Sequence, residues 1–309
     1  MKKSIDVNEA NIKACLRALL DPAQQHHSIS MSYSNGLRVI HPNAQIGKNV
    51  HIGPFTVIEE DVVIGDNCHI ANGVTILNGA RIGSDCKIFP GAVISAVPQD
   101  LKYKGEQTTL ELGNGCIVRE CCTLNRGTIN PDYNADGRTI IGDGCLLMAY
   151  VHVAHDCIIG KRSILANNVT LAGHIEIGDF ARLGGMVAVH QFVRIGGHVM
   201  IGGGSLVRKD VPPYVMAARE PLSYAGVNRV GLRRAHFTRE QIHHLEDIFR
   251  VLFVHGLSTR RALEIIEGEI TPSEFRDEIV LFVRNAERGL MKGFRAMNGS
   301  SKVAEPVLD

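Results

Sequence analysis

From Ile40 to Val211 a large aliphatic side chain returns every six residues. The run reads Ile40, Ile46, Ile52, Ile58, Ile64, Ile70, Ile76, Ile82, Ile88 and Ile94, and the phase returns at Leu112, Val118 and Leu124. It resumes at Ile141 and holds through Leu147, Val153, Ile159, Leu165, Leu171, Ile177, Leu183, Val189, Ile195, Ile201 and Val207. Four positions after each sits a small or β-branched residue, such as Ala44, Val50, Thr56, Val62, Val74, Ala80 or Ala92. Gly often follows the aliphatic, as in Ile46-Gly47, Ile64-Gly65 and Ile141-Gly142. A run this long has no competing helical reading. It predicts short strands that each point one large side chain inward, with corners where a small residue turns the chain and Gly relaxes the backbone. Three sextets close a triangular coil of 18 residues, and stacked coils pair as parallel strands about 4.8 Å apart.

Two polar, turn-rich stretches break the phase, Val97 to Leu110 and Ile129 to Thr139. Loops expelled from a regular solenoid are usual places for binding residues. After Val211-Pro212-Pro213 the repeat stops. Thr238-Arg239-Glu240-Gln241 is a capping box opening an apolar-periodic run, Ser258 caps a second helix, and Thr271-Pro272-Ser273-Glu274 starts a third with Pro at its first position. The expected organisation is an N-terminal extension over 1–37, partly disordered, with a short amphipathic helix from Val7 to Leu20. A β-helix over 38–215, a helical domain over 216–297 and a disordered tail over 298–309 follow.

Composition narrows the class. The 309 residues carry a net charge of +1 with 21% charged side chains, so no bulk field points to nucleic acid. Aromatics are 5%, Trp is absent and Gly numbers 32, which suits stacked β-coils. No apolar run approaches the roughly 20 residues of a membrane helix, and MKKSIDVNEA lacks a secretory core. The eight Cys follow neither a disulfide nor a zinc spacing. Cys68, Cys86, Cys116, Cys122, Cys145 and Cys157 fall at the small inward position, as packing residues of a reduced, cytoplasmic protein.

One stretch carries chemistry: Met148-Ala149-Tyr150-Val151-His152-Val153-Ala154-His155-Asp156-Cys157. Gly173 and Gln191 follow His155 at one and two coil lengths, so the three form a vertical column on one face, solvent-facing in this reading. Asp156 and His174 form the neighbouring column, and His190 sits beside Gln191. A His suits general-base work on a hydroxyl, a nearby carboxylate orients its ring, and a Gly lets a backbone N–H reach an oxyanion. No Ser or Cys stands out as nucleophile, so direct attack of an alcohol on a thioester is favoured. The rival is zinc held by several His, although no paired His-x-His element is present.

These residues sit in motifs that resemble the UDP-N-acetylglucosamine O-acyltransferases, a family of hexapeptide-repeat acyltransferases. The motifs are Pro98-Gln99-Asp100-Leu101-Lys102, Asn125-Arg126-Gly127-Thr128, His152-Val153-Ala154-His155-Asp156, Leu165-Ala166-Asn167-Asn168, Leu171-Ala172-Gly173-His174 and His190-Gln191-Phe192, with Asp210-Val211-Pro212-Pro213-Tyr214 and Gly226-Val227-Asn228 beyond. The resemblance runs from about Ile40 to Gly289. It implies a left-handed parallel β-helix with a small helical C-terminal domain, assembled as a homotrimer with sites between prisms. It implies transfer of an (R)-3-hydroxyacyl group from acyl carrier protein to the 3-hydroxyl of UDP-N-acetylglucosamine, the first step of lipid A synthesis. No cofactor is implied beyond the carrier's phosphopantetheine.

By the same resemblance His155 is the base, Asp156 assists it and Gly173 supplies the oxyanion N–H. Gln99, Asp100, Lys102, Asn125, His152, His174, His190 and Gln191 hold sugar or acyl chain, and Asn228 and Arg234 bind the uridine diphosphate. Gly203 matches the acyl-chain ruler. Lys102 and Arg194 are placed to meet the acidic carrier. Three departures bear on this. Asn125 stands where well-known members carry His, Ala235 replaces a third basic residue, and 1–37 has no family counterpart. Alternatives are transfer to a 3-amino UDP-sugar, the later N-acyltransferase of the pathway, a metal-dependent hydratase, and a silent scaffold.

Overall fold

A computed structural model of the chain describes residues 37–133 and 135–293. The expected Val7–Leu20 helix, nearly all of the 1–37 extension and the 298–309 tail lie outside them. Short strands, most of two residues, recur at the predicted spacing from β1 (Val39–Ile40) to β27 (Leu206–Val207). They stack into three parallel faces of a left-handed β-helix. The first face has nine strands, from Val39–Ile40 to Leu206–Val207. The second has eight, from Gln45–Ile46 to Arg194–Ile195. The third runs from His51–Ile52 through Met200–Ile201 to a hairpin of Val215–Ala218 and Ser223–Val227. Registers advance by one coil, as in Val57↔Thr75 and His152↔Thr170.

The aliphatic column forms the core: Ile70, Ile76, Ile88, Ile94, Val118, Leu147, Leu165 and Ile201 are fully buried. The six inward cysteines are buried free thiols, as expected. The exceptions lie in the first described coil, where Ile40 is half-buried and Ile46 is 37% exposed. The Gly after each aliphatic does not relax a bend. At Gly65 the φ is not left-handed; a Cβ there would sit 2.6 Å from the Ser84 nitrogen of the next coil. Close stacking excludes a side chain. The left-handed residue comes two positions later, at Asn49, Asn67, Asp85, Arg162, Phe180 and His198.

Both interruptions leave the prism at the corner between the first and second faces. They return earlier than the phase implied, because Thr109–Leu112 and Arg138–Ile141 are already strands, with Leu110 and Thr139 fully buried. Beyond the prism come α1 (Arg229–Arg234), α2 (Arg239–Phe249), α3 (Thr259–Glu269) and α4 (Glu274–Arg284). The capping box at Thr238 and the Ser258 cap form as read. At α4 the cap is Ser273, so Pro272 precedes the helix rather than opening it. A ring stack, Phe180 on His198 at 4.8 Å and His198 on Tyr214 at 5.8 Å, ties the prism to Phe237 and Phe275. After α4 the chain returns, and Asp210 N–H donates to Gly289 O while Met291 N–H donates to Asp210 O.

Candidate active site

The first-to-second-face corner repeats a four-residue turn, and repetition builds the columns. Ala154-His155-Asp156-Cys157, Ala172-Gly173-His174-Ile175 and His190-Gln191-Phe192-Val193 occupy the same turn in successive coils. Asp156, His174 and Phe192 share the left-handed position, at φ 60°, 58° and 64°. His174 N–H donates to His155 O, and Phe192 N–H to Gly173 O. Side chains on this column therefore point the same way, one coil apart.

His155 Nδ1 lies 2.7 Å from Asp156 Oδ2. Asp156 is fixed in turn: Thr128 N–H donates to its Oδ1 at 2.7 Å and Thr128 Oγ1–H to its Oδ2 at 2.6 Å. Its own N–H donates to the buried Thr139 Oγ1 at 2.8 Å. Burial pushes the Asp156 carboxyl up, but the bonds from His155 and Thr128 together outweigh it and hold it below the usual carboxylate range. With a charged acceptor at Nδ1, that nitrogen carries the ring proton and Nε2 keeps a lone pair for an incoming proton.

The neighbours are packed rather than solvated. His174 meets His155 edge-on at 5.1 Å, with its Nε2 3.6 Å from Asp156 Oδ2. His152, outward from the first face, bonds Thr123 Oγ1 through Nδ1 at 2.7 Å. Burial pushes both the His174 and His152 imidazoles down. The side chains of His155, Asp156 and His174 are only 8%, 5% and 10% exposed. At these three residues the wall is not solvent-facing, because the second excursion lies over it, while His190 and Gln191 at its far end stay exposed. His155, Asp156 and His174 also offer ligand atoms within 4.8 Å of one another, a set that could hold a metal ion.

The remaining predicted residues divide by corner. Gln99 and Lys102 are exposed on the first excursion, and Lys102 N–H donates to Asp100 Oδ1 at 2.9 Å. Asn125 is 2% exposed; its Nδ2 donates to Val97 O at 2.6 Å, and its Oδ1 is buried without a hydrogen-bond partner. It pins the root of that excursion. His190 and Gln191 are exposed in the Gly173-stacked turn, with Arg288 Nη2 2.9 Å from His190 Nδ1. Gly203 lies at the third-to-first-face corner and is exposed. Asn228 caps α1 through Gly231 N–H, and its Nδ2 donates to His198 O at the second-to-third-face corner. Arg234 is exposed in the last turn of α1. Within one chain Gly203, Asn228 and Arg234 thus sit away from the His155 corner.

Thr139 and Tyr133 were not singled out from the sequence, and Thr128 stood only at the end of the Asn125-Arg126-Gly127-Thr128 motif, without a role. Thr128 was within reach: once the second excursion is discounted, it falls about one coil before Asp156. Tyr133 had no such signal, because nothing in a polar loop fixes where its tip lands.

Residues 210–291 match the family described as Udp N-acetylglucosamine O-acyltransferase, Domain 2, and 43–78 and 138–173 match the bacterial transferase hexapeptide repeats. A relative from Thiobacillus denitrificans, named acyl-[acyl-carrier-protein]–UDP-N-acetylglucosamine O-acyltransferase, is 43% identical over 82% of this chain and 97% of its own. One of the same name from Thermodesulfovibrio yellowstonii is 42% identical over the same shares. Among solved structures, LpxA from Bacteroides fragilis is 48% identical with a TM-score of 0.80, covering 84% of this chain and 100% of that one. The UDP-N-acetylglucosamine acyltransferase of Arabidopsis is 32% identical with a TM-score of 0.73, covering 84% and 100%. These matches span both the prism that carries His155 and the helical end, and the chain belongs to the UDP-N-acetylglucosamine O-acyltransferase family.

Proposed function

We propose that this chain transfers an (R)-3-hydroxyacyl group from acyl carrier protein to the 3-hydroxyl of UDP-N-acetylglucosamine, the opening step of lipid A synthesis. The observation that carries the reading is the His155–Asp156–Thr128 chain of hydrogen bonds, which leaves Nε2 of His155 free to act. His155 accepts the hydroxyl proton as the oxygen attacks the thioester carbonyl. The tetrahedral oxyanion is met by the Gly173 N–H. The carbon–sulfur bond then breaks and the phosphopantetheine thiol leaves with the proton. This chemistry draws on the His155 and Asp156 side chains and the Gly173 backbone N–H, and the donor's phosphopantetheine belongs to the carrier. Asp156 stays ionised, holding the ring and balancing the imidazolium.

The assembly belongs to the same proposal. The outward row of the first face, from Val39 and Val57 through Thr123 and His152 to Leu206, carries no Lys, Arg, Asp or Glu. The second face carries Arg81, Glu111, Glu176 and Arg194. Phe55, Tyr150 and Met186 are 61%, 60% and 69% exposed along the first face's edge. A homotrimer would cover this surface and bring Asn228, Arg234 and Gly203 of one copy toward the His155 corner of the next. Among the described residues no helix is long and apolar enough to cross a membrane. The seven described cysteines are free, which supports a cytoplasmic location.

Product mass spectrometry tests the reading. UDP-N-acetylglucosamine and its 3-amino analogue would each be incubated with a ladder of (R)-3-hydroxyacyl-carrier thioesters. The reading requires an ester on the 3-oxygen; acylation of the amine alone would overturn the acceptor assignment.

A further inference from the structure

We propose that Tyr133 is a positioning residue of this site, acting through His174 and Lys102; the inference rests on the acyl-transfer reading and adds a part to it. Tyr133 ends a short 3₁₀ turn, Pro131–Tyr133, at the tip of the second excursion. The legs of that excursion pair as a small antiparallel hairpin, Ile129↔Asp136 and Asn130↔Ala135. One foot is pinned on the catalytic carboxylate by the two Thr128 bonds. The other is braced by the Arg138–Asp136 ion pair at 2.6 Å.

From that base the tip reaches up the corner by more than one coil. The Tyr133 ring lies 5.5 Å from His174 and 5.0 Å from Phe192, and His174 stacks on Phe192 at 4.6 Å with an 11° interplanar angle. Three rings are in mutual contact, and one is the imidazole that meets His155 edge-on. Lys102 Nζ sits 5.7 Å from the Tyr133 centroid, within cation–π range.

The consequence is mechanical. An imidazole on an open corner would turn about its χ2; Tyr133 and Phe192 hold it in one orientation. A lysine on an exposed loop pays rotamer entropy when it binds a ligand, and a ring beneath its ammonium lowers that cost. Tyr133 joins the two excursions and the corner column into one preformed wall. The contacts come from the ring, so the hydroxyl is dispensable.

Two variants and two readouts decide it. Diethyl pyrocarbonate modifies exposed neutral histidines, and peptide mass spectrometry reports the rate at His174 in the whole protein. His174 should react slowly in the wild type and in Tyr133→Phe, and roughly tenfold faster in Tyr133→Ala. In kinetics, Tyr133→Ala should raise KM for the sugar nucleotide about tenfold with kcat within threefold, and Tyr133→Phe should restore KM. Combining Tyr133→Ala with Lys102→Met should cost less than the product of the single effects, because both remove one contact. An unchanged His174 rate in Tyr133→Ala, or a Phe variant as impaired as Ala, overturns the proposal. If the wild type acylates no sugar nucleotide, the acyl-transfer reading falls, while the His174 rates still judge the clamp.

Discussion

The ring of His155 occupies the place where Gly173 would carry a side chain. A Cβ built on Gly173 would sit 2.6 Å from His155 Cε1 and 2.8 Å from Nε2. Glycine at this position has two physical reasons: in the proposed reaction it exposes a backbone N–H, and in the structure it lets the base lie flat against the next coil.

Gly173→Ala should therefore act on catalysis more than on folding. The Gly173 φ is not left-handed, so the backbone accepts Ala and the methyl displaces the ring instead. Misplacement by about 1 Å costs on the order of 100-fold in rate. We expect kcat to fall by about that much, with an unfolding penalty of about 1–3 kcal/mol from overpacking. Steady-state kinetics and thermal melts check both.

Thr128→Val removes one of three donors to the Asp156 carboxylate and leaves the Thr128 N–H and His155 Nδ1. A hydrogen bond to a charged group contributes about 1.5–3 kcal/mol, so kcat should drop at least about tenfold. Thr128→Ser keeps the hydroxyl and should stay near wild type. Equal activity in Val and Ser variants would remove Thr128 from the mechanism.

His198 gives a pH prediction away from the site. It is stacked between Phe180 and Tyr214, and burial pushes its imidazole below the ordinary value of 6.5, with the Asp179 charge opposing and Arg182 assisting. His174 and His152 are depressed the same way. A lowered folded value means that the unfolded chain binds more protons below about pH 6.5, so stability is full above that and declines as pH falls toward the folded value. Melting temperature should drop between pH 7.5 and 5.5. His198→Phe keeps the ring stack and removes one titrating group, so its melting curve should be less acid-sensitive. An unchanged pH slope would contradict this.

The prism was legible because a six-residue period leaves one arrangement for its aliphatic side chains, and Ile70 to Val207 lie inward as read. The 18-residue coil placed Gly173 against His155 and His174 beside Asp156 by arithmetic alone. That arithmetic lapses where chain leaves the coil. Tyr133 belongs to the second excursion, and only the folded path shows that it roofs His174; Thr128, at the foot of that excursion, falls one coil before Asp156 only once the excursion's residues are discounted. The wall read as open for the same reason. Gly65 differs in kind: the sequence shows a Gly at many corners but cannot say whether φ or the approach of Ser84 requires it. Asn228 matched a motif, while its capping of the short helix α1 had no periodic signal to announce it.

The central claim is that His155 is the base, and His155→Ala tests it most directly. With assembly and fold verified by light scattering and circular dichroism, kcat should fall by about 10²–10⁴, the usual contribution of a positioned base, while binding of the sugar nucleotide persists. A His155→Ala protein that keeps its fold and turns over acyl-carrier thioester and UDP-N-acetylglucosamine at near wild-type kcat would contradict the account.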